Sequence, residues 1–199
     1  MDSTSHPEGG EEAVTREPEF NDVATICRWL NEAGAKYVLV GGFAIILQGY
    51  PRYTTDIDLL IETGPENEER VLAALAKLPD GAARQVQPGE VARYGVVRIG
   101  DEVLVDLMKT GCDVDYHLAA QSAVTKWIDG VAVPVASQEI LWRMKQTLRE
   151  KDIPDRLFLI QWAAENHVSL DPPVSKTPRT EPPGWLVRAA QWLERRLGI

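Results

Sequence analysis

The sequence predicts an α+β fold: a mixed sheet flanked by helices, followed by a helix pair and a proline-linked C-terminal helix. Three observations carry that expectation. Apolar runs of strand length, "KYVLVGG", "DIDLLIE" and "DEVLVDLMKT", alternate with segments whose apolar residues recur at helical spacing. The turn dipeptide Asp129–Gly130 splits "VTKWIDGVAVPVA" into a hairpin. Two successive helical patterns then precede a proline-rich stretch. The 199 residues suffice for one domain with a core plus appendages, and 44% hydrophobic content fits a soluble globular protein.

The elements follow in order. Residues 1–18 lack a hydrophobic pattern and are expected to be disordered. The domain is placed at 19–168. In "EFNDVATICRWLNEAGA", Val23, Ile26, Cys27 and Leu30 fall at helical spacing and Gly34 is the stop. "KYVLVGG" reads as a buried strand ending on two glycines, "FAIILQG" as a buried helix, "PRYTT" as a loop and "DIDLLIE" as a strand. In "GPENEERVLAALAKLP", Pro65 and acids open a helix carrying Val71, Leu72, Leu75 and Leu78. "DGAARQVQPGE" is a turn-rich connection. "VARYGVVRIG" and "DEVLVDLMKT" read as two strands joined at Gly100–Asp101, and "DVDYHLAAQSA" as a short helix. Ser137 caps a helix over "SQEILWRMKQTLREK", and Pro154 opens another over "PDRLFLIQWAAENH". Residues 169–184 form a proline-rich linker, and 185–199 an amphipathic helix.

Composition excludes several classes. No run approaches the roughly 18 apolar residues of a membrane span, and the acidic start "MDSTSHPEGGEEAVTREPEF" is not a secretory signal, so a cytoplasmic protein is expected. Cys27 and Cys112 are too few for a disulfide framework, and His6, His117 and His167 have no ligand spacing. The net charge of −9 weakens any broad attraction to nucleic acid. Residues 1–22 carry seven acids against Arg16, whereas 174–199 carry five bases against two acids. Two solvated tails, or a basic arm that meets an acidic partner, both fit this asymmetry.

The chemistry centres on "GGFAIILQGYPRYTTDIDLLIE", residues 41–62. Strand side chains alternate, so Asp56 and Asp58 share a face while Ile57, Leu59 and Ile61 take the other. Two carboxylates ~5 Å apart repel by about 3 kcal/mol at an effective dielectric of ~20. A shared proton, a paired Arg or Lys, or a divalent cation can offset that cost. Asp106, again a charge inside an apolar strand, favours the cation: three aspartates on two strands suit two Mg²⁺ ions and in-line displacement at phosphorus. Gly41 and Gly42 lie between a strand and a helix, where glycine permits close backbone approach. Neither a G-K-[ST] loop nor G-x-G-x-x-G is present.

The pattern G-G-x-A followed by G-x-x-R-x-T-x-D-I-D, carried by Gly41, Gly42, Ala44, Gly49, Arg52, Thr54, Asp56, Ile57 and Asp58, resembles the nucleotidyltransferase superfamily with its DNA polymerase β-like fold. Within it the chain is similar to the AbiEii-type toxins and minimal nucleotidyltransferases. Asp106 matches the third acidic position, and Lys145, Arg149, Lys151, Asp152 and Asp155 match a later lysine-bearing segment. The resemblance spans roughly residues 22–167 and leaves both tails unexplained.

It implies Mg²⁺-dependent transfer of a nucleoside monophosphate from an NTP. Asp56 and Asp58 would bind both metals, and Asp106 would bind one and help deprotonate the acceptor. Gly41 and Gly42 would cradle the β,γ-phosphates, with Arg52, Thr54 and Lys145 also on the nucleotide. Many members have Gly-Ser where this chain has Gly-Gly. Arg52 has an alternative role as an ion-pair partner of Asp56 or Asp58, and Lys145, with Arg149 at i+4, as part of a solvated helix face. Asp152 and Asp155 are expected to brace the last helices, and Trp142 to sit in the core. The acceptor expected from the AbiEii resemblance is tRNA, with the chain as a toxin and a cognate antitoxin as partner. A small-molecule enzyme acting on an aminoglycoside or lincosamide, transfer to a protein, and a non-catalytic binding module are the other readings.

Overall fold

A computed structural model describes residues 15–170. Part of the expected N-terminal tail, part of the linker and all of the expected C-terminal helix lie outside those residues. The fold is α+β with a mixed six-stranded sheet flanked by helices, as the sequence predicts. The strands are β1 (Tyr37–Val40), β2 (Ile57–Ile61), β3 (Val96–Gly100), β4 (Leu104–Met108), β7 (Val124–Ile128) and β8 (Val131–Val135), in the spatial order β3-β4-β2-β1-β8-β7. A separate two-stranded ribbon pairs β5 (Thr110–Gly111) with β6 (Val114–Asp115). β2 runs parallel to β4, and β1 parallel to β8; the remaining pairs are antiparallel.

The helices are α1 (Phe20–Glu32), α2 (Gly41–Leu47), α3 (Pro65–Leu75), α4 (Glu90–Tyr94), α5 (Tyr116–Gln121), α6 (Gln138–Met144) and α7 (Ile153–Glu165). α1 packs on α3 and on the β7–β8 hairpin; α2 packs on β1, β2 and α6, and α6 packs on α7. With both faces covered, β1 is buried along its whole length, and Leu39, Ile57, Leu59, Leu60 and Leu107 are fully enclosed. That burial explains why these strands read as continuous apolar runs rather than as alternating ones. Among the described residues no helix is long and apolar enough to cross a membrane.

Local signals account for most boundaries. Gly34 ends α1 in the left-handed region, Pro65 sits in the first turn of α3, and the Ser137 hydroxyl accepts the Ile140 N–H. Asp129 and Gly130 both have positive φ, the two-residue turn expected of that dipeptide.

Three expectations change. The strand expected over "VARYGVVRIG" begins as α4, and only Val96–Gly100 is extended. The cause is distant in sequence: the buried Glu68 carboxylate on α3 accepts N–H groups from Gly89, Val91 and Ala92 at 2.6, 3.2 and 3.2 Å, satisfying the first turn of α4. The long helix expected over 137–151 stops at Met144, and Glu150–Asp152 form a separate 3₁₀ turn. Lys145 and Arg149 are therefore not neighbours on one helix face. Lastly, residues 15–18 of the stretch expected to be disordered run along the domain. Arg16 bridges to Val103 in a parallel sense and pairs with Asp22 at 2.7 Å and Glu102 at 3.0 Å.

Candidate active site

Sheet register builds the site. Arg98 on β3 faces Asp106 on β4, Asp106 faces Asp58 on β2, and Asp58 faces Val40 on β1. These four residues form one row across the sheet. Because β2 and β4 are parallel and in register, Asp58 and Asp106 project from the same face, one strand spacing of ~4.8 Å apart. Asp56 lies one residue before β2 and shares that face. One carboxylate oxygen from each of Asp56, Asp58 and Asp106 lies within 4.8 Å of the others. Burial, then the charges of Asp56 and Asp106, push the Asp58 carboxyl up to about 6; Lys145 and the Gly42 N–H pull the other way without cancelling them.

The glycine pair is dictated by this crowding. Gly41 has φ +65°, and a Cβ there would sit 1.8 Å from Asp58 Oδ2. At Gly42 a Cβ would fall 2.2 Å from Thr54 Oγ1. The Thr54 hydroxyl, 3.4 Å from Asp56 Oδ1, thus occupies the space that a serine at position 42 would need. Gly-Gly rather than Gly-Ser follows from that packing. The Gly42 N–H turns to the Asp58 carboxylate.

A second cluster forms the opposite wall. The buried Lys145 ammonium lies 3.1 Å from Asp152 Oδ1 and 2.8 Å from Asp155 Oδ2, both carboxylates fully enclosed. Arg52 reaches Asp155 at 2.5 Å and Arg149 reaches Asp152 at 2.9 Å, while Thr147 also donates to Asp152. Burial alone would raise the Asp152 pKa, but Thr147, Lys145 and Arg149 hold it below the usual carboxylate range. Lys145 is therefore not on a solvated face, and the ion-pair partner of Arg52 is Asp155, not Asp56 or Asp58. Asp152 and Asp155 brace the α6–α7 junction. Trp142 lies in the core.

Both walls border one cleft of ≈ 270 Å³, lined by Gly41, Gly42, Arg52, Thr54, the three aspartates and Lys145, with Arg149 and Lys151 also on its walls. Every residue singled out in the sequence for metal or nucleotide thus borders the same space. Sequence reasoning missed Arg98. Its Nε and Nη2 each donate to Asp106 at 2.7 Å, and Nη2 lies 3.5 Å from Asp56 Oδ2. Those carboxylates raise its pKa still further. No signal in the sequence marks it: a turn at Gly100–Asp101 would place Gly95 opposite Asp106, and only the observed pairing of Gly100 with Leu104 brings Arg98 there.

Three carboxylates, each with an oxygen within 4.8 Å of the others, are hard oxygen donors converging on one point. A divalent cation such as Mg²⁺ fits that donor set. The sequence profile of the aminoglycoside-2''-adenylyltransferase family matches residues 22–157. No match is found among curated proteins. Solved structures to which the chain is similar include the following three. An antigenic nucleotidyltransferase-like protein from Paracoccidioides brasiliensis is 21% identical, covering 92% of this chain and 90% of its own, with a TM-score of 0.48. The antibiotic-resistance factor ANT(2'')-Ia is 16% identical, covering 90% and 97%, with a TM-score of 0.46. A Thermotoga maritima protein described as a nucleotidyltransferase is 16% identical, covering 79% and 99%, with a TM-score of 0.42.

Proposed function

The chain belongs to the aminoglycoside-2''-adenylyltransferase family and is a nucleotidyltransferase; from that premise we propose that it transfers AMP from ATP to a hydroxyl of an aminoglycoside-type small molecule. The profile match is to this family and not to the AbiEii-like branch that the motif resembled. The observation that carries the proposal is the carboxylate triad, Asp56, Asp58 and Asp106, held within 4.8 Å in a cleft walled by Arg52 and Lys145.

Asp56 and Asp58 would each hold two Mg²⁺ ions, and Asp106 one. When bound, the metal supplies charge neutralisation at the phosphoryl oxygens and lowers the pKa of the acceptor hydroxyl. Asp106 takes the acceptor proton on a carboxylate oxygen. The acceptor oxygen bonds to the α-phosphorus, the bond from that phosphorus to the β-bridging oxygen breaks, and pyrophosphate carries the leaving charge. Arg52 and Lys145 would supply cations to the β- and γ-phosphates; both border the cleft, and each is paired to buried Asp155. Gly41 and Gly42 border the cleft, where their backbone would meet the triphosphate, and Thr54 offers a hydroxyl beside them.

A net charge of −9 favours encounter with a polycationic acceptor over a polyanionic one. The tRNA-modifying toxin with a cognate antitoxin has no family match behind it. The test is incubation with each α-labelled NTP, Mg²⁺, an aminoglycoside panel and total tRNA. Label from ATP in an aminoglycoside is expected. Label in tRNA alone would overturn the acceptor assignment.

A further inference from the structure

Arg98 occupies both oxygens of the carboxylate that the proposed metal centre needs. Its guanidinium makes two parallel bonds to Asp106, each 2.7 Å, and reaches within 3.5 Å of Asp56. Asp106 itself is anchored: its side chain is only 12% exposed and it sits inside the sheet between β2 and β3. Arg98 is the freer partner. Its side chain is 55% exposed and β3 is an outer strand, so it can turn to solvent without disturbing the core. The buried cation nearby, Lys145, pairs with Asp152 and Asp155. Arg98 is thus the cation that Asp106 and Asp56 share in the metal-free protein.

We propose that Arg98 is a positioning residue that competes with the divalent cation for Asp106, holding this carboxylate aimed at Asp56 and Asp58 in the metal-free protein and releasing it when the cation enters. The proposal rests on the metal-centre reading above. Competition and bracing predict opposite signs. If Arg98 only braced Asp106, its removal would loosen the carboxylate and weaken metal binding. As a competitor, its removal strengthens binding.

The experiment is titration of the metal-free full chain with Mn²⁺, following free Mn²⁺ by electron paramagnetic resonance. Wild type, Arg98→Gln and Arg98→Lys are compared, and Asp58→Asn identifies the site being titrated. Charge-assisted bidentate bonds are strong, but solvent screens this half-exposed one, so Arg98→Gln is expected to bind Mn²⁺ about 3- to 10-fold more tightly than wild type. Arg98→Lys keeps the charge without the fork and falls between them. If Arg98→Gln misfolds, the lysine variant alone carries the comparison. An Asp58-dependent site whose affinity is unchanged or weaker in the Arg98 variants overturns this proposal and leaves the metal centre standing. No Asp58-dependent binding in any protein overturns both.

Discussion

Replacing Asp58 by asparagine is expected to make the metal-free protein more stable. In the folded state the Asp58 carboxyl is pushed from its ordinary value of 3.8 up to about 6, first by burial and then by Asp56 and Asp106. A folded pKa above the unfolded one means that the penalty is absent below about pH 4. It accumulates as pH rises and is complete above about pH 6. Roughly two units at 1.36 kcal/mol each set a ceiling of about 3 kcal/mol. Partial solvent access and salt screening reduce this to about 1–2 kcal/mol. For a chain of this length that raises Tm by about 3–6 °C. The assay is thermal unfolding in EDTA from pH 4 to 8 for wild type and Asp58→Asn. The gap should be widest above pH 6 and close towards pH 4. A variant less stable than wild type at pH 8, or a gap independent of pH, would refute the reasoning.

Two other substitutions test the packing around the cleft. Gly42→Ser puts a Cβ 2.2 Å from Thr54 Oγ1; urea unfolding should register a loss of about 1–3 kcal/mol, and an undisturbed midpoint would contradict the crowding argument. Lys145→Met leaves Asp152 and Asp155 enclosed with only Arg149 and Arg52 as counter-charges; the expected loss is about 2–4 kcal/mol in urea, and a loss under about 0.5 kcal/mol would mean that the cluster is no more than a surface ion pair.

Legibility followed the range of the interactions. Gly41, Gly42, Asp56, Asp58 and Asp106 stood out because each breaks a local rule: glycines side by side at a strand end, and charges inside apolar strands. The Ser137 cap and the Asp129–Gly130 turn are equally local. What stayed hidden depends on partners remote in sequence. α4 forms because Glu68 reaches across to cap it. α6 ends where Lys145 is held by Asp152 and Asp155, whose burial no periodicity reveals. Arg98 needed the β3–β4 register, and Arg16 needed Glu102. The motif itself is a superfamily feature, which is why it led to the chemistry and not to the branch.

The central claim, nucleotidyl transfer at the triad, is tested most directly by pyrophosphate release from ATP in the presence of Mg²⁺ and an aminoglycoside that accepts label. Wild type is compared with Asp56→Asn, Asp58→Asn and Asp106→Asn, each checked for folding by circular dichroism. A neutral amide cannot replace a carboxylate that holds a cation. Each variant should therefore lose at least ~100-fold in rate, about 2.7 kcal/mol of transition-state stabilisation. A folded variant of any of the three that releases pyrophosphate at near the wild-type rate would contradict the claim.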